Sequence, residues 1–172
     1  MPARPFRVGR SLTGLGLFAT REIKKRARIV EYRGPRLSEP AAERAETRGN
    51  RYLFEVSKHI TIDGTTRSNV ARYANHSCNP NAEAVVFRGR VYIKALRRIR
   101  PDEEITYSYG GDYLRNVIGK SNCKCGRCRR RRARLARERR AAKKRAAARA
   151  SSRGRKAAGK TTKKTSRRHS RQ

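Results

Sequence analysis

Residues 72–81 read Arg72-Tyr73-Ala74-Asn75-His76-Ser77-Cys78-Asn79-Pro80-Asn81, and the rest of the chain is best understood outward from them. Within seven positions they gather an imidazole, a thiol and three side-chain amides, while Pro80 stops a regular element from running through. Such a stretch is either an asparagine-rich loop with a stray cysteine or a loop whose polar groups serve chemistry. The surrounding sequence has to choose.

On the C-terminal side, Cys123-Lys124-Cys125-Gly126-Arg127-Cys128 sets three thiols on a tight knuckle with a glycine at its bend. A structural zinc ion takes four thiolate or imidazole ligands in a tetrahedron. The knuckle supplies three, Cys78 is the one cysteine left, and His76 is an alternative donor. Cysteines this close together in a reducing compartment favour metal over cross-links. A redox or merely buried thiol cluster is the competing reading. Basic neighbours such as Lys124 and Arg127 help keep thiolates ionised.

Between loop and knuckle, Pro101-Asp102-Glu103-Glu104 turns into Ile105-Thr106-Tyr107-Ser108-Tyr109, which predicts a strand with both tyrosines on one face. Taken alone, that is a half-buried aromatic strand. Val85-Val86-Phe87 and Val91-Tyr92-Ile93 flank Arg88-Gly89-Arg90 and predict a hairpin. Upstream, Tyr52–Val56 and Ile60–Ile62 predict short strands with a turn at Asp63-Gly64, and Ser38 to Arg48 predicts a short helix capped by Ser38. Arg28-Ile29-Val30-Glu31-Tyr32 predicts a strand ended by Gly34-Pro35. In Ser11 to Thr20, Gly14 and Gly16 precede an apolar run, where glycine permits a sharp turn or a close approach to a ligand. The third glycine of a dinucleotide fingerprint is missing. The sum is a mainly β domain with long loops and no repeated βαβ unit.

The 172 residues carry 47 Lys and Arg against 13 Asp and Glu, a formal charge of +34. Residues 129–172 hold 21 of the basic residues and one acidic residue, Glu138. The first 128 residues are long enough to bury a core, and the tail is not. Its first part, Arg129 to Ala150, has helix propensity without an apolar face, and disorder is expected from Ser151 on. Such a tail attracts phosphate, and without interleaved aromatics it predicts non-specific binding of nucleic acid. No stretch approaches the ~20 apolar residues of a membrane span. A soluble, intracellular protein is expected.

Taken in order, the Gly-x-Gly start, the Ile-Val-Glu-Tyr strand, the Ile-Asp-Gly turn, the Asn-His-Ser-Cys loop with its Pro-Asn, the Glu-Ile-Thr-Tyr-Ser-Tyr strand and the cysteine knuckle resemble the SET-domain protein lysine methyltransferases. The resemblance covers about residues 6–128. It implies a SET fold, short strands in small sheets around a knot-like cofactor site, followed by a zinc knuckle and a basic, largely disordered tail. It places a SET domain at 1–113, a post-SET zinc segment at 114–128 and the tail at 129–172. It implies that S-adenosylmethionine meets Gly14, Leu15, Gly16, Asn75 and His76, and that Tyr109 is catalytic. Tyr107 would act beside Tyr109 and influence how many methyl groups are added, with Tyr52 also bordering the lysine channel. Cys78, Cys123, Cys125 and Cys128 would hold structural Zn2+. The family usually leaves four residues before the last cysteine where this chain leaves two, which implies a tighter knuckle. Ser68-Asn69 stands where the family commonly has Gly-Asn, and residues 1–13 hold no cysteine, so a pre-SET zinc cluster is not expected.

The implied function is methyl transfer to lysines of histones or other basic, nucleic-acid-associated proteins, with mono- or dimethyl products. The alternative is a non-catalytic chromatin or nucleoid-binding protein on a SET-like scaffold. The partners expected are a protein substrate and, through the tail, nucleic acid, with no membrane. The compartment would be nucleoid or cytoplasm in a bacterium, and the nucleus in a eukaryotic or invaded cell.

Overall fold

A computed structural model describes residues 4–166, with side chains described through residue 150. The chain divides into one compact unit ending at Cys128 and a second beginning at Arg129.

In the first unit, β1 (Phe6–Ser11) and β2 (Gly14–Ala19) form an antiparallel hairpin that places Ser11 opposite Gly14. β10 (Glu104–Tyr107) extends this sheet from β2 and pairs in parallel with β7 (Asn75–His76), Thr106 opposite Asn75 and Tyr107 opposite His76. A second sheet orders β3 (Arg28–Tyr32), β9 (Arg90–Ala95) and β8 (Ala82–Phe87). A third orders β4 (Arg36–Leu37), β6 (Ile60–Asp63) and β5 (Leu53–Ser57). The mainly β expectation and the small-sheet architecture therefore hold. The hairpin β8–β9 lies between β7 and β10 in sequence but belongs to another sheet. The parallel pair is thus closed by residues some 30 positions apart.

Alternation explains which side of each strand is buried. Val91, Ile93 and Ala95 of β9 face inward while Arg90, Tyr92 and Lys94 do not, and Leu17, Ile99 and Ile105 are fully buried as well. Truncating one of these isoleucines to alanine costs about 2–5 kcal/mol. In the β8–β9 turn, Arg88 (φ 50°) and Gly89 (φ 69°) are both left-handed. That is the primed turn whose twist suits a two-residue hairpin. Arg90 begins β9 and is not part of the turn, because it pairs with Phe87.

α1 (Glu39–Thr47) begins after Ser38, with Pro40 in its first turn. Ser38 is in the capping position, yet its side chain makes no capping bond. Its carbonyl accepts the N–H groups of Ala41 and Ala42 at 3.0 and 2.9 Å instead. Asn69 is buried, donating through Nδ2 to the Gly64 carbonyl at 3.1 Å and accepting the Arg33 N–H at 3.0 Å. Ser68 beside it does not have a positive φ, so this turn does not require a glycine.

After β10, α2 (Gly111–Tyr113) runs into a π-helical turn, Leu114–Ile118, which Gly119 ends at φ 77°. α3 (Gly126–Ser166) follows. The helix expected over Arg129 to Ala150 is formed. The backbone is helical through Ser166, and the physical reason is local: Ala, Arg and Lys are good helix formers and no proline interrupts them. Every residue from Arg129 to Ala150 is exposed, as a helix without an apolar face requires. The tail's last six residues lie outside the described ones.

Candidate active site

Strand β10 stops at Tyr107, two residues short of the expected Tyr109. The last ladder bond is Ser77 N–H to the Tyr107 carbonyl at 3.0 Å. Tyr109 then gives its N–H to His76 Nδ1 at 3.2 Å and its hydroxyl to the Ala74 carbonyl at 2.9 Å. The phenol is therefore fixed by the 74–76 segment, not by strand alternation. Its ring lies 4.8 Å from Tyr107, and edge-on at 5.4 Å to both Tyr113 and His76.

The three tyrosine rings, without His76, line a cleft of about 800 Å3 together with Tyr32, Tyr52 and Tyr73. Six of the chain's seven tyrosines thus meet in one place, which a half-buried aromatic strand does not explain. Tyr32 and Tyr113 are tied to the facing segment, their hydroxyls donating to the carbonyls of Tyr52 (2.8 Å) and Arg51 (3.3 Å). Tyr107 is only 8% exposed, and its hydroxyl has no hydrogen-bond partner among the described residues. Burial, reinforced by the neighbouring tyrosines, pushes the Tyr107 and Tyr109 hydroxyls far above the ordinary phenol range, so both stay neutral. Arg72 lines the same cleft, its guanidinium 3.8 Å over the Tyr52 ring while it donates to the Thr65 carbonyl. Its Nε is buried without a partner.

Of the residues singled out for the cofactor, Leu15 and Asn75 line the cleft. Gly14 adopts φ 109° with open space around it, and Leu15 is 50% exposed, so this hairpin end offers backbone to a ligand. Gly16 is buried and serves differently: a Cβ there would stand 2.6 Å from Glu104 Oε1 and 3.1 Å from Asn75 Nδ2. That carboxylate accepts from Ser11 Oγ (2.7 Å) and Asn75 Nδ2 (2.8 Å), and the Asn75 amide also donates to the Leu15 carbonyl at 3.0 Å. Asn81 does the same for the other end of the loop. Its amide donates to Glu103 Oε1 (3.0 Å) and the Glu104 carbonyl (2.8 Å), and its oxygen accepts the Thr106 N–H at 2.8 Å. Asn75 and Asn81 therefore staple the loop to β2 and β10.

His76 connects the cleft to the cysteines. Nδ1 accepts from Tyr109, so the proton belongs on Nε2, which faces Cys78 Sγ at 3.2 Å. Burial lowers the imidazole pKa and favours this neutral form. With Nδ1 committed, the ring suits a hydrogen bond to a thiolate better than a place among the ligands. The four sulfurs of Cys78, Cys123, Cys125 and Cys128 lie within 4.8 Å of one another, with Cys78 at 3.9 Å from Cys123 and 3.6 Å from Cys128. A tetrahedral metal with sulfurs at ~2.3 Å has an edge of about 3.8 Å, so the cluster could hold one ion. Burial raises the Cys78 thiol, whereas at Cys125 the N–H groups of Cys78 and Cys128 outweigh burial and bring it down to about 7. Cys123 is fully buried and the other three are half-buried, so the knuckle closes on the loop through its sulfurs.

Sequence reasoning missed Tyr32, Tyr113 and Arg72. Tyr113 had a readable trace, four residues after Tyr109 in Tyr-Gly-Gly-Asp-Tyr. Tyr32 and Arg72 did not, since their places depend on how the third sheet meets the loop.

A β domain of three small sheets, with a thiol knuckle closed on the loop beside its tyrosine cleft, is thus the class of structure at hand. The SET domain family model matches residues 14–110, and the chain belongs to that family. An H3 lysine-4 specific histone-lysine N-methyltransferase of Saccharomyces cerevisiae is 37% identical over 121 residues, covering 64% of this chain and 11% of its own. One of the same description from Emericella nidulans is 35% identical over 134 residues, 72% of this chain and again 11% of its own. This chain therefore spans about a tenth of the relatives it matches. Among solved structures, a humanized mutant of the Chaetomium thermophilum Polycomb Repressive Complex 2 bound to the inhibitor GSK126 aligns with TM-score 0.58 and 28% identity, over 67% of this chain and 16% of that one.

Proposed function

We propose that the chain is an S-adenosylmethionine-dependent protein-lysine N-methyltransferase acting on histones or other basic, nucleic-acid-associated proteins. The observation that carries this is the convergence of neutral tyrosine hydroxyls in a cleft beside the parallel pair β7–β10. Family membership and the descriptions of the relatives, which name histone H3, support the substrate class.

When bound, S-adenosylmethionine supplies a methyl group already activated by its sulfonium. The chain's own residues then have to bind, align and exclude water. Leu15, Asn75 and the Gly14–Gly16 backbone form the cofactor end, with His76 holding Tyr109 in place behind it. Tyr52 and Tyr107 border the channel for the lysine side chain. A lysine of pKa ~10.4 enters protonated. Desolvation among the tyrosines, with Arg51 and Arg72 in the same walls, favours its neutral amine. The Tyr109 hydroxyl donates to Ala74 and so keeps oxygen lone pairs free to accept an amine N–H and orient its lone pair. Tyr107 offers a second hydroxyl that takes up space around the amine, which supports mono- or dimethylation.

Zn2+ is the ion that four thiolates in this arrangement suit best. It would tie residues 114–128, the post-SET segment, to Cys78 and so to the loop of a SET domain at 1–113. The tail, 129–172, would bind DNA or RNA through its charge, and a nuclear site of action follows from a histone substrate.

Transfer of label from S-adenosylmethionine to a panel of basic proteins, run beside Tyr109→Phe, tests the reading. Label on lysine that falls at least about 100-fold in the variant is the expected result. Zinc and DNA binding with no labelled protein in the panel would overturn it.

A further inference from the structure

The sheet of β3, β9 and β8 lies away from the tyrosine cleft at its hairpin end and shows solvent a face that the reading above does not use. Val91, Ile93 and Ala95 point into the core, so Arg90, Tyr92 and Lys94 stand on the outer face. The register sets Phe87 opposite Arg90 and Val85 opposite Tyr92, on that same face. A solvated sheet face is ordinarily polar. Here Phe87 is 45% exposed and Tyr92 is only half-buried.

Arginines are laid on both rings. The Arg28 guanidinium lies 4.6 Å from the centre of the Phe87 ring and 5.0 Å from that of Tyr92. Arg88 adds a contact with Phe87 at 5.3 Å, and Arg90 one with Tyr92 at 5.8 Å. Arg90 is neutralised by Glu31 at 2.6 Å, and Lys94 reaches Glu83 at 3.9 Å. Arg28 and Arg88 are exposed and have no carboxylate partner among the described residues. Arg88 also stands at φ 50° in the hairpin turn, a place that suits Asn, Asp or Gly better, so the turn carries a guanidinium at its tip against local preference. At the other end of the face, residues 24–26 add three exposed cations where the chain enters β3, Arg26 giving its N–H to the Ala95 carbonyl at 2.8 Å.

The ligand that matches this face is both anionic and flat. A carboxylate-rich protein segment would satisfy the guanidinium groups and leave the rings uncovered, and a duplex keeps the faces of its bases stacked inside. A single strand offers both parts, phosphates for the cations and base planes for aromatic rings and guanidinium planes. We infer that the outer face of the β3–β9–β8 sheet docks single-stranded nucleic acid, with bases stacked on Phe87, Tyr92 and Arg28 and phosphates held by Arg88 and residues 24–26. This differs from the attraction of the tail to phosphate, because residues 129–172 contain no Phe, Tyr or Trp on which a base could stack. It is also independent of methyl transfer.

The chain has no tryptophan, so Phe87→Trp in the full chain puts a single indole on this face and leaves the tail intact. Its emission is followed at about 0.15 M salt as a short oligo(dT), a duplex with the same number of phosphates, inorganic polyphosphate or polyglutamate is added. Anisotropy of each labelled ligand reports binding anywhere on the chain. Quenching by oligo(dT) alone is the expected result. Adding Tyr92→Ala, with folding checked by circular dichroism, should raise the half-quenching concentration at least about fivefold, the loss of one stacked base. Adding Arg28→Gln/Arg88→Gln, both on exposed residues, should lower the salt slope of quenching by about 0.7 for each phosphate contact removed. Oligo(dT) that binds by anisotropy and leaves the indole emission unchanged overturns the proposal, since the tail then takes the strand. Equal quenching by the duplex, polyphosphate or polyglutamate overturns it as well, because charge without bases then suffices. So does a half-quenching concentration and salt slope that neither added substitution moves.

Discussion

The two units of this chain hold their structure by opposite means. In residues 4–128 nearly every polar side chain at the site has an assigned partner far away in sequence. Examples are Asn75 with Leu15 and Glu104, Asn81 with Glu103 and Thr106, and Tyr109 with Ala74 and His76. In 129–150 every residue is exposed, and the ion pair of Arg134 with Glu138 at 3.5 Å spans a single helical turn. The first unit is thus sensitive to single atoms, and the second to total charge. Individual substitutions should separate them cleanly.

Removal of metal has the largest expected effect. Structural zinc contributes on the order of 10 kcal/mol to folding of such knuckles. Chelation, or Cys78→Ser, should abolish methyl transfer and raise hydrogen exchange in residues 119–128, as mass spectrometry would show. The helix content of the tail should stay unchanged by circular dichroism of a tail peptide. Next comes Asn81→Ala. It leaves the Thr106 N–H and the Glu104 carbonyl without their partner in a buried place, at about 1–3 kcal/mol each, so chemical denaturation should show a loss near 3 kcal/mol. A loss under 1 kcal/mol would mean that water takes over these bonds.

A smaller effect is expected from acid. Burial raises the Glu103 pKa, but hydrogen bonds from Arg97, Asn81 and the Arg100 N–H outweigh it and bring the carboxyl down to about 2. A depressed folded pKa contributes stability that is complete above the unfolded value, near 4.3, and is lost as pH falls from there toward 2. After solvent screening this amounts to about 1 kcal/mol, or about 4 °C of melting temperature, and Glu103→Gln should flatten that part of the curve. The smallest effect should come from the tail. Arg→Gln at any one position between 129 and 150 should lower the salt slope of DNA binding by about 0.9 at most, without changing the domain's melting temperature. A position whose substitution abolishes binding would show that the tail is read as a site rather than as charge.

Part of the candidate site was legible from spacing. The knuckle announced itself because three cysteines within six residues must be neighbours in any fold, and Tyr107 could be read from its place behind an acidic turn. The strand end was misplaced because alternation alone cannot tell that Tyr109 gives its N–H to His76 in place of a ladder partner. The Ser38 cap was placed correctly by residue type, but its side chain makes no bond, since its carbonyl already serves the first turn.

By itself the sequence determined what depends on neighbours along the chain. That includes the polar loop 72–81, the thiol knuckle, the division of charge at residue 129 and the order of short strands. Tertiary structure alone decided what depends on residues brought together from afar. It joined Cys78 to a knuckle 45 to 50 positions away and gathered six tyrosines around one cleft. The physical reason is that local propensity and periodicity act over one or two turns of chain. Pairing across sheets is set by which buried faces and hydrogen-bonding groups find each other when the chain closes.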